Sequence, residues 1–231
     1  MLGSDGGEDV SHPNDEDVER RLAALRLEVD GIEREWKHRV EILAVTKGFA
    51  SWAIESAVAA GCGSVGENYA QELISKREVI ETLCPEVHFI GRLQSNKVRQ
   101  LVGLVDVWAS LDRGSIIDEV AKRAEGARVL IQVNTTGEET KGGCLPEDLA
   151  ALVARTQETG LRLDGLMTVG PTGEPAEVAR SGFRLVRNLV DEYGLSVCSM
   201  GMTADAHIAI EEGSTEIRVG TAIFGQRPAK T

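Results

Sequence analysis

Nothing in this 231-residue sequence is apolar for long enough to cross a bilayer as a helix, which takes about 18 consecutive residues. A soluble protein is the expectation, with no membrane partner. Basic residues are also scarce: 25 Lys and Arg stand against 37 Asp and Glu, for a net charge of −12. Binding a phosphate backbone needs a basic stripe, so the balance argues against nucleic acid as a partner. The cysteines, Cys62, Cys84, Cys144 and Cys198, are scattered, with no CxxC pair and no metal-ligand spacing. Four free thiols in a chain without a signal peptide predict a reducing, cytoplasmic setting. The histidines form no triad and no metal cluster; His88, on an apolar strand, reads as a core or rim residue. No GxGxxG follows the first strand, which argues against a doubly wound dinucleotide fold.

What is present is alternation. Residues 1–14 are rich in Gly, Asp, Ser and Pro and read as a disordered acidic tail. From Asp15 to about His38 the spacing of Leu22, Leu25, Val29, Ile32 and Trp36 predicts an amphipathic helix outside the main architecture. Strands are then expected at 41–47, 64–68, 87–93, 106–111, 128–134, 163–169, 196–200 and 216–224. Helical patterns fall between them, including one continuous helix over 69–83. Eight βα units in a chain of this length close naturally into a (β/α)8 barrel, here a single domain over 15–231.

In such a barrel the carboxyl ends of the strands share one face, where chemistry sits. Lys47 ends the first strand, Glu41-Ile-Leu-Ala-Val-Thr-Lys47. Partial desolvation lowers a lysine's pKa, and the neutral amine attacks carbonyls to form a Schiff base. Strands seven and eight end in Ser199-Met200-Gly201-Met202-Thr203 and Arg218-Val219-Gly220-Thr221, small and hydroxylic residues suited to cradling a phosphate. A Schiff-base lysine facing a phosphate cup points to an aldehyde that carries a phosphate. Arg218 shares its strand face with neither Ile217 nor Val219, so it enters the barrel and needs a partner, either a structural carboxylate or a ligand. Donating to a ring nitrogen, it would hold a pyridine unprotonated and make it a poor electron sink.

Several blocks carry a resemblance: Ala44-Val45-Thr46-Lys47, Gly66-Glu67-Asn68-Tyr69-Ala70-Gln71-Glu72, His88-Phe89-Ile90-Gly91-Arg92-Leu93-Gln94-Ser95-Asn96-Lys97, Gly165-Leu166-Met167-Thr168 and Arg218-Val219-Gly220-Thr221-Ala222-Ile223-Phe224-Gly225. Together, over about residues 20–227, the chain resembles the pyridoxal phosphate homeostasis proteins. The resemblance implies a barrel like the N-terminal domain of alanine racemase, binding pyridoxal 5′-phosphate (PLP) as an aldimine on Lys47. It further implies a phosphate cup from Ser199, Gly201, Gly220 and Thr221, and Arg218 at the pyridine nitrogen. Asn68 and Met167 would line the ring, and Lys141 would assist transfer. Two positions depart from the family pattern. Gly48-Phe49-Ala50-Ser51 stands where a proline-containing loop is common, and Ala109-Ser110-Leu111-Asp112 replaces the usual Ser-Ile/Val-Asp.

The implied role is a carrier or regulator in vitamin B6 homeostasis that holds PLP and passes it to apo-enzymes without turnover, as a monomer. The alternative is a PLP-dependent amino-acid racemase, which needs a second acid/base opposite Lys47. The only tyrosines are Tyr69 and Tyr193, at a helix start and a helix end, and the chain stops at Thr231, soon after the eighth strand. A Schiff-base aldolase acting on a sugar phosphate is a third reading.

Overall fold

A computed structural model describes residues 15–138 and 140–227; the tail expected over 1–14 lies outside them. The first helix, α1 (Asp15–Gly31), leads through an irregular stretch into β1 (Glu41–Val45) and α2 (Trp52–Ala59). Next come β2 (Ser64–Glu67), α3 (Ala70–Ser75), α4 (Arg77–Leu83), β3 (Glu86–Phe89) and α5 (Ser95–Leu101). The middle of the chain supplies β4 (Val107–Leu111), α6 (Gly114–Arg123), β5 (Arg128–Gln132) and α7 (Leu149–Glu158). It ends with β6 (Arg162–Met167), α8 (Arg180–Glu192), β7 (Val197–Ser199), α9 (Ala206–Glu211), β8 (Glu216–Val219) and α10 (Thr221–Phe224). All eight strands are parallel and pair in chain order, and β8 returns to β1 with Leu43 beside Arg218, closing the barrel. No helix among the described residues is long and apolar enough to cross a membrane.

The period-two alternation of a strand explains the layers. Outward residues such as Val65, Phe89, Trp108, Ile131 and Leu166 pack under the helices. Inward, Val107, Ala109, Leu130 and Met167 form an apolar plug. The α1 stripe buries Val18, Leu22 and Val29 against Phe49, Ala53 and Phe224. Arg26 reaches across to donate to the carbonyls of Ala60 (3.3 Å) and Gly61 (2.7 Å), capping the end of α2.

Three differences from the sequence pattern have physical causes. The expected helix over 69–83 breaks at Lys76, whose buried ammonium bonds the Thr46 carbonyl (2.9 Å) and the Glu67 carboxylate (2.5 Å) instead of following solvent. The first helix stops at Gly31, so Ile32 and Trp36 lie beyond it. The last strand ends at Val219, and the apolar Ala222-Ile223-Phe224 belongs to a short helix whose Ile223 and Phe224 pack under α1.

Candidate functional site

β1 and β8 set the site. Leu43, Val45 and Lys47 alternate onto the inner face, and Lys47 emerges at the carboxyl-terminal mouth into a cavity of about 450 Å³. Asn68, Lys141, Met167, Arg218, Gly220 and Thr221 line the same cavity. Gly91 lets the next loop close on Asn68, because a Cβ there would fall 1.9 Å from the Asn68 carbonyl oxygen. Five lining residues carry positive charge (Lys47, Arg92, Lys141, Arg218 and Arg227) and none is acidic, in a chain of net charge −12. Such a wall suits an anion.

Lys47 is half-buried, and its amine lies below the ordinary lysine value of 10.5. Burial is the main cause, and the charges of Arg227 and then Arg218 add to it. Glu67 and Glu72 oppose them. Both carboxylates are otherwise engaged: Glu67 with Thr46 Oγ1 (2.6 Å) and Lys76, and Glu72 with the Gly48 amide (2.8 Å). Burial raises the pKa of Glu67 itself, with the Lys76 charge pulling the other way.

Arg218 is buried and held from three sides. Nη1 donates to the Ser199 carbonyl (2.7 Å) and to Ser199 Oγ (2.9 Å), and Nη2 donates to the Thr168 carbonyl (2.6 Å). Burial lowers its pKa, and Glu216 is the chief charge acting the other way. Lys141 leans over the rim, bonded to Glu138 at 2.7 Å and to the Gly170 carbonyl.

Ser199 and Gly201 stand elsewhere. Ser199 is fully buried below the cavity, its hydroxyl donating to Glu216 Oε1 at 2.5 Å. Gly201, at φ +94, makes the turn that delivers 202–204 to the mouth. A Cβ there would come within 2.6 Å of Ala209 Cβ. The residues on the wall are thus Met202, Thr203 and Ala204, opposite Gly220 and Thr221. Asp205 accepts the Met202 amide at 2.6 Å and fixes this loop. The first amides of α10 have no intrahelical acceptor.

Thr203 and Arg92 lie in blocks the sequence singles out, whereas Arg227 gives no periodic signal. Neither arginine forms an ion pair with a described residue. Among the described residues no cluster of His, Cys, Asp and Glu has the makings of a metal site.

A second, larger cavity of about 730 Å³ opens at the amino-terminal mouth, between Glu41, Ser64, Glu86 and Arg128. Its charges are mixed and largely paired: Arg128 with Glu86 and Asp164, Arg39 with Glu41, and His88 between Glu86 and Glu216. Barrel chemistry belongs at the other face.

The alanine racemase N-terminal domain model matches residues 21–228. The pyridoxal phosphate homeostasis protein of Aquifex aeolicus is 43% identical over 81% of this chain and 87% of its own length. That of Pseudomonas aeruginosa is 42% identical, over 81% and 85%. The chain belongs to the pyridoxal phosphate homeostasis family. Within it, the structure of PipY from Synechococcus elongatus with PLP bound superposes with a TM-score of 0.76. It is 30% identical to this chain, with coverage of 90% of this chain and 100% of PipY.

Proposed function

We propose that this family member holds PLP at the carboxyl-terminal mouth of the barrel, with Lys47 as its covalent anchor, and serves intracellular vitamin B6 homeostasis by storing the cofactor and yielding it to apo-enzymes. The observation that carries this reading is the acid-free cavity in which four other basic residues surround Lys47, whose amine is biased toward its neutral form. The residues present suit the group. A phosphate dianion finds hydroxyls and backbone amides at 203–204 and 220–221, with no carboxylate on the wall to repel it. Bound there, PLP supplies an aldehyde that condenses with amines and a pyridine ring that can accept electrons.

The chain's own groups would temper that reactivity. Lys47 offers an amine that loses its proton more readily than a free lysine, and Asn68 and Met167 line the same cavity. Arg218 can only donate hydrogen bonds, so a ring nitrogen held by it would stay unprotonated. A carrier is served by such a ring, because it does little carbanion chemistry. Lys141, bonded at the rim to Glu138 and Gly170, is placed to meet cofactor on its way in or out. Action as a cytoplasmic monomer completes the proposal.

The test is the visible spectrum of wild type and Lys47→Ala mixed with PLP and then reduced with borohydride. The reading requires a band and a reduced label at Lys47 in the wild type, both missing in the variant. Identical spectra with no label at Lys47 would sink it. Addition of D- and L-alanine separates a carrier from a racemase by turnover.

A further inference from the structure

Below the cofactor cavity the barrel is not filled by apolar side chains alone. Glu216 lies two residues before Arg218 on β8, so strand alternation turns both inward. The pairing of β7 with β8 sets Ser199 directly beside Glu216. Glu216 is 6% exposed and Ser199 is 0% exposed, and neither lines the cavity at the carboxyl-terminal mouth.

The contacts form one line. Ser199 Oγ gives its single proton to Glu216 Oε1 at 2.5 Å and accepts from Arg218 Nη1 at 2.9 Å. Glu216 Oε2 faces His88 Nδ1 at 3.2 Å, within ion-pair range but out of line for a hydrogen bond. The other ring nitrogen of His88 meets Glu86 Oε1 at 2.7 Å. A buried carboxylate is costly unless charge and hydrogen bonds compensate it. Glu216 faces His88 on one side and on the other is compensated, through one hydroxyl, by Arg218.

The line also decides what Arg218 has left to offer. Nη1 is occupied by Ser199 and Nη2 gives a proton to Thr168, so Nε and the remaining Nη2 proton are available for a ligand. Every one of those three bonds ends on a neutral oxygen. Among the negative charges acting on the guanidinium Glu216 weighs most, and Ser199 connects the two.

We propose that Glu216 is a positioning residue for the cofactor: through Ser199 it fixes the guanidinium of Arg218, and so the contact that Arg218 makes with the pyridine nitrogen of PLP. This rests on the reading of the cavity as a PLP site. It gives Ser199 a task beneath the ring rather than at the phosphate.

The experiment uses full-length wild type, Glu216→Gln, Ser199→Ala and Arg218→Ala, each loaded with PLP labelled with 15N in the ring. The ring nitrogen's NMR shift, the PLP dissociation constant, the borohydride label at Lys47 and the thermal midpoint are measured for each. The expected result is a displaced nitrogen shift and about tenfold weaker binding in Glu216→Gln, the worth of a hydrogen bond to a charged group. Ser199→Ala changes both in the same direction, and Lys47 stays labelled in each variant. Adding Glu216→Gln to Arg218→Ala has no further effect on the shift, because the two act through one contact. A residue that merely supports the fold would lower the thermal midpoint and leave the nitrogen signal of the loaded protein in place. If Glu216→Gln does not fold, Ser199→Ala decides the matter. Wild-type shifts and affinity in the folded, labelled variants would overturn the inference. Absence of label and binding in wild type would instead overturn the PLP reading beneath it.

Discussion

At the amino-terminal mouth charges come in pairs; at the carboxyl-terminal mouth they come in one sign. Arg128 pairs with Glu86 and Asp164 around the lower cavity, and His88 bonds Glu86 and faces Glu216. Around the upper one, five cations share a wall without a carboxylate. The pairs at the lower mouth tie the scaffold together, whereas the acid-free wall of the upper cavity suits the anionic ligand proposed for it.

The sharpest way to break this contrast is Lys47→Ala. Covalent capture of PLP should vanish completely, read as loss of the borohydride-trapped adduct by mass spectrometry. Capture elsewhere in the barrel at wild-type yield would remove the distinction between the mouths.

Next in size is Lys76→Met, which acts on stability just beneath the upper mouth. It strands the Glu67 carboxylate, fully buried and already lacking a partner at Oε2, so about 3–5 kcal/mol should be lost in denaturant unfolding. A near-neutral result would mean that Glu67 protonates and tolerates solitude, as its raised pKa permits.

A smaller effect comes from Arg227→Gln. The Lys47 amine lies below 10.5, so its neutral fraction appears at lower pH than for a free lysine, and the rate of adduct formation should climb with a midpoint under that value. Removing Arg227, the second cause after burial, should shift the midpoint upward. The same depression makes the unfolded chain the better proton binder between the folded value and 10.5, so this residue's contribution to stability rises with pH across that window. A midpoint unmoved by Arg227→Gln would leave burial and Arg218 as the causes.

The mildest test addresses the lower mouth. Its bond to His88, with Arg128 beside it, holds Glu86 down to about 2 from the usual 4.5. A depressed acid stabilises fully above 4.5, and that contribution drains away as pH falls toward about 2. Glu86→Gln should flatten the acid limb of the stability curve over this interval. Since Glu86 is partly exposed, the change should be modest. An unchanged limb would assign acid lability to other carboxylates.

Much of the barrel could be read from the chain, because parallel strands buried on both faces leave short apolar runs with turn residues between them. The run 41–47 and the block 128–134 illustrate this, and Lys47 at the end of the first run announces a strand terminus. What escaped the pattern was set by tertiary partners. Lys76 interrupts a helical stretch because Glu67 and the Thr46 carbonyl lie beneath it. Ala222-Ile223-Phe224 reads equally well as strand or helix, and packing under α1 decides it. Ser199 has the composition of a phosphate ligand, yet its hydroxyl goes to Glu216, a choice made by the register of β7 against β8. Arg227 joins the cavity from a segment with no regular spacing.

Closure of β8 onto β1 also has a consequence in time. Lys47 and Gly220 follow directly on the first and last of the eight strands, neighbours in the barrel but far apart in sequence. A ribosome emits Lys47 well before the wall that faces it. Until β8 has emerged and closed on β1, the nascent polypeptide displays that lysine without the enclosure that tunes it.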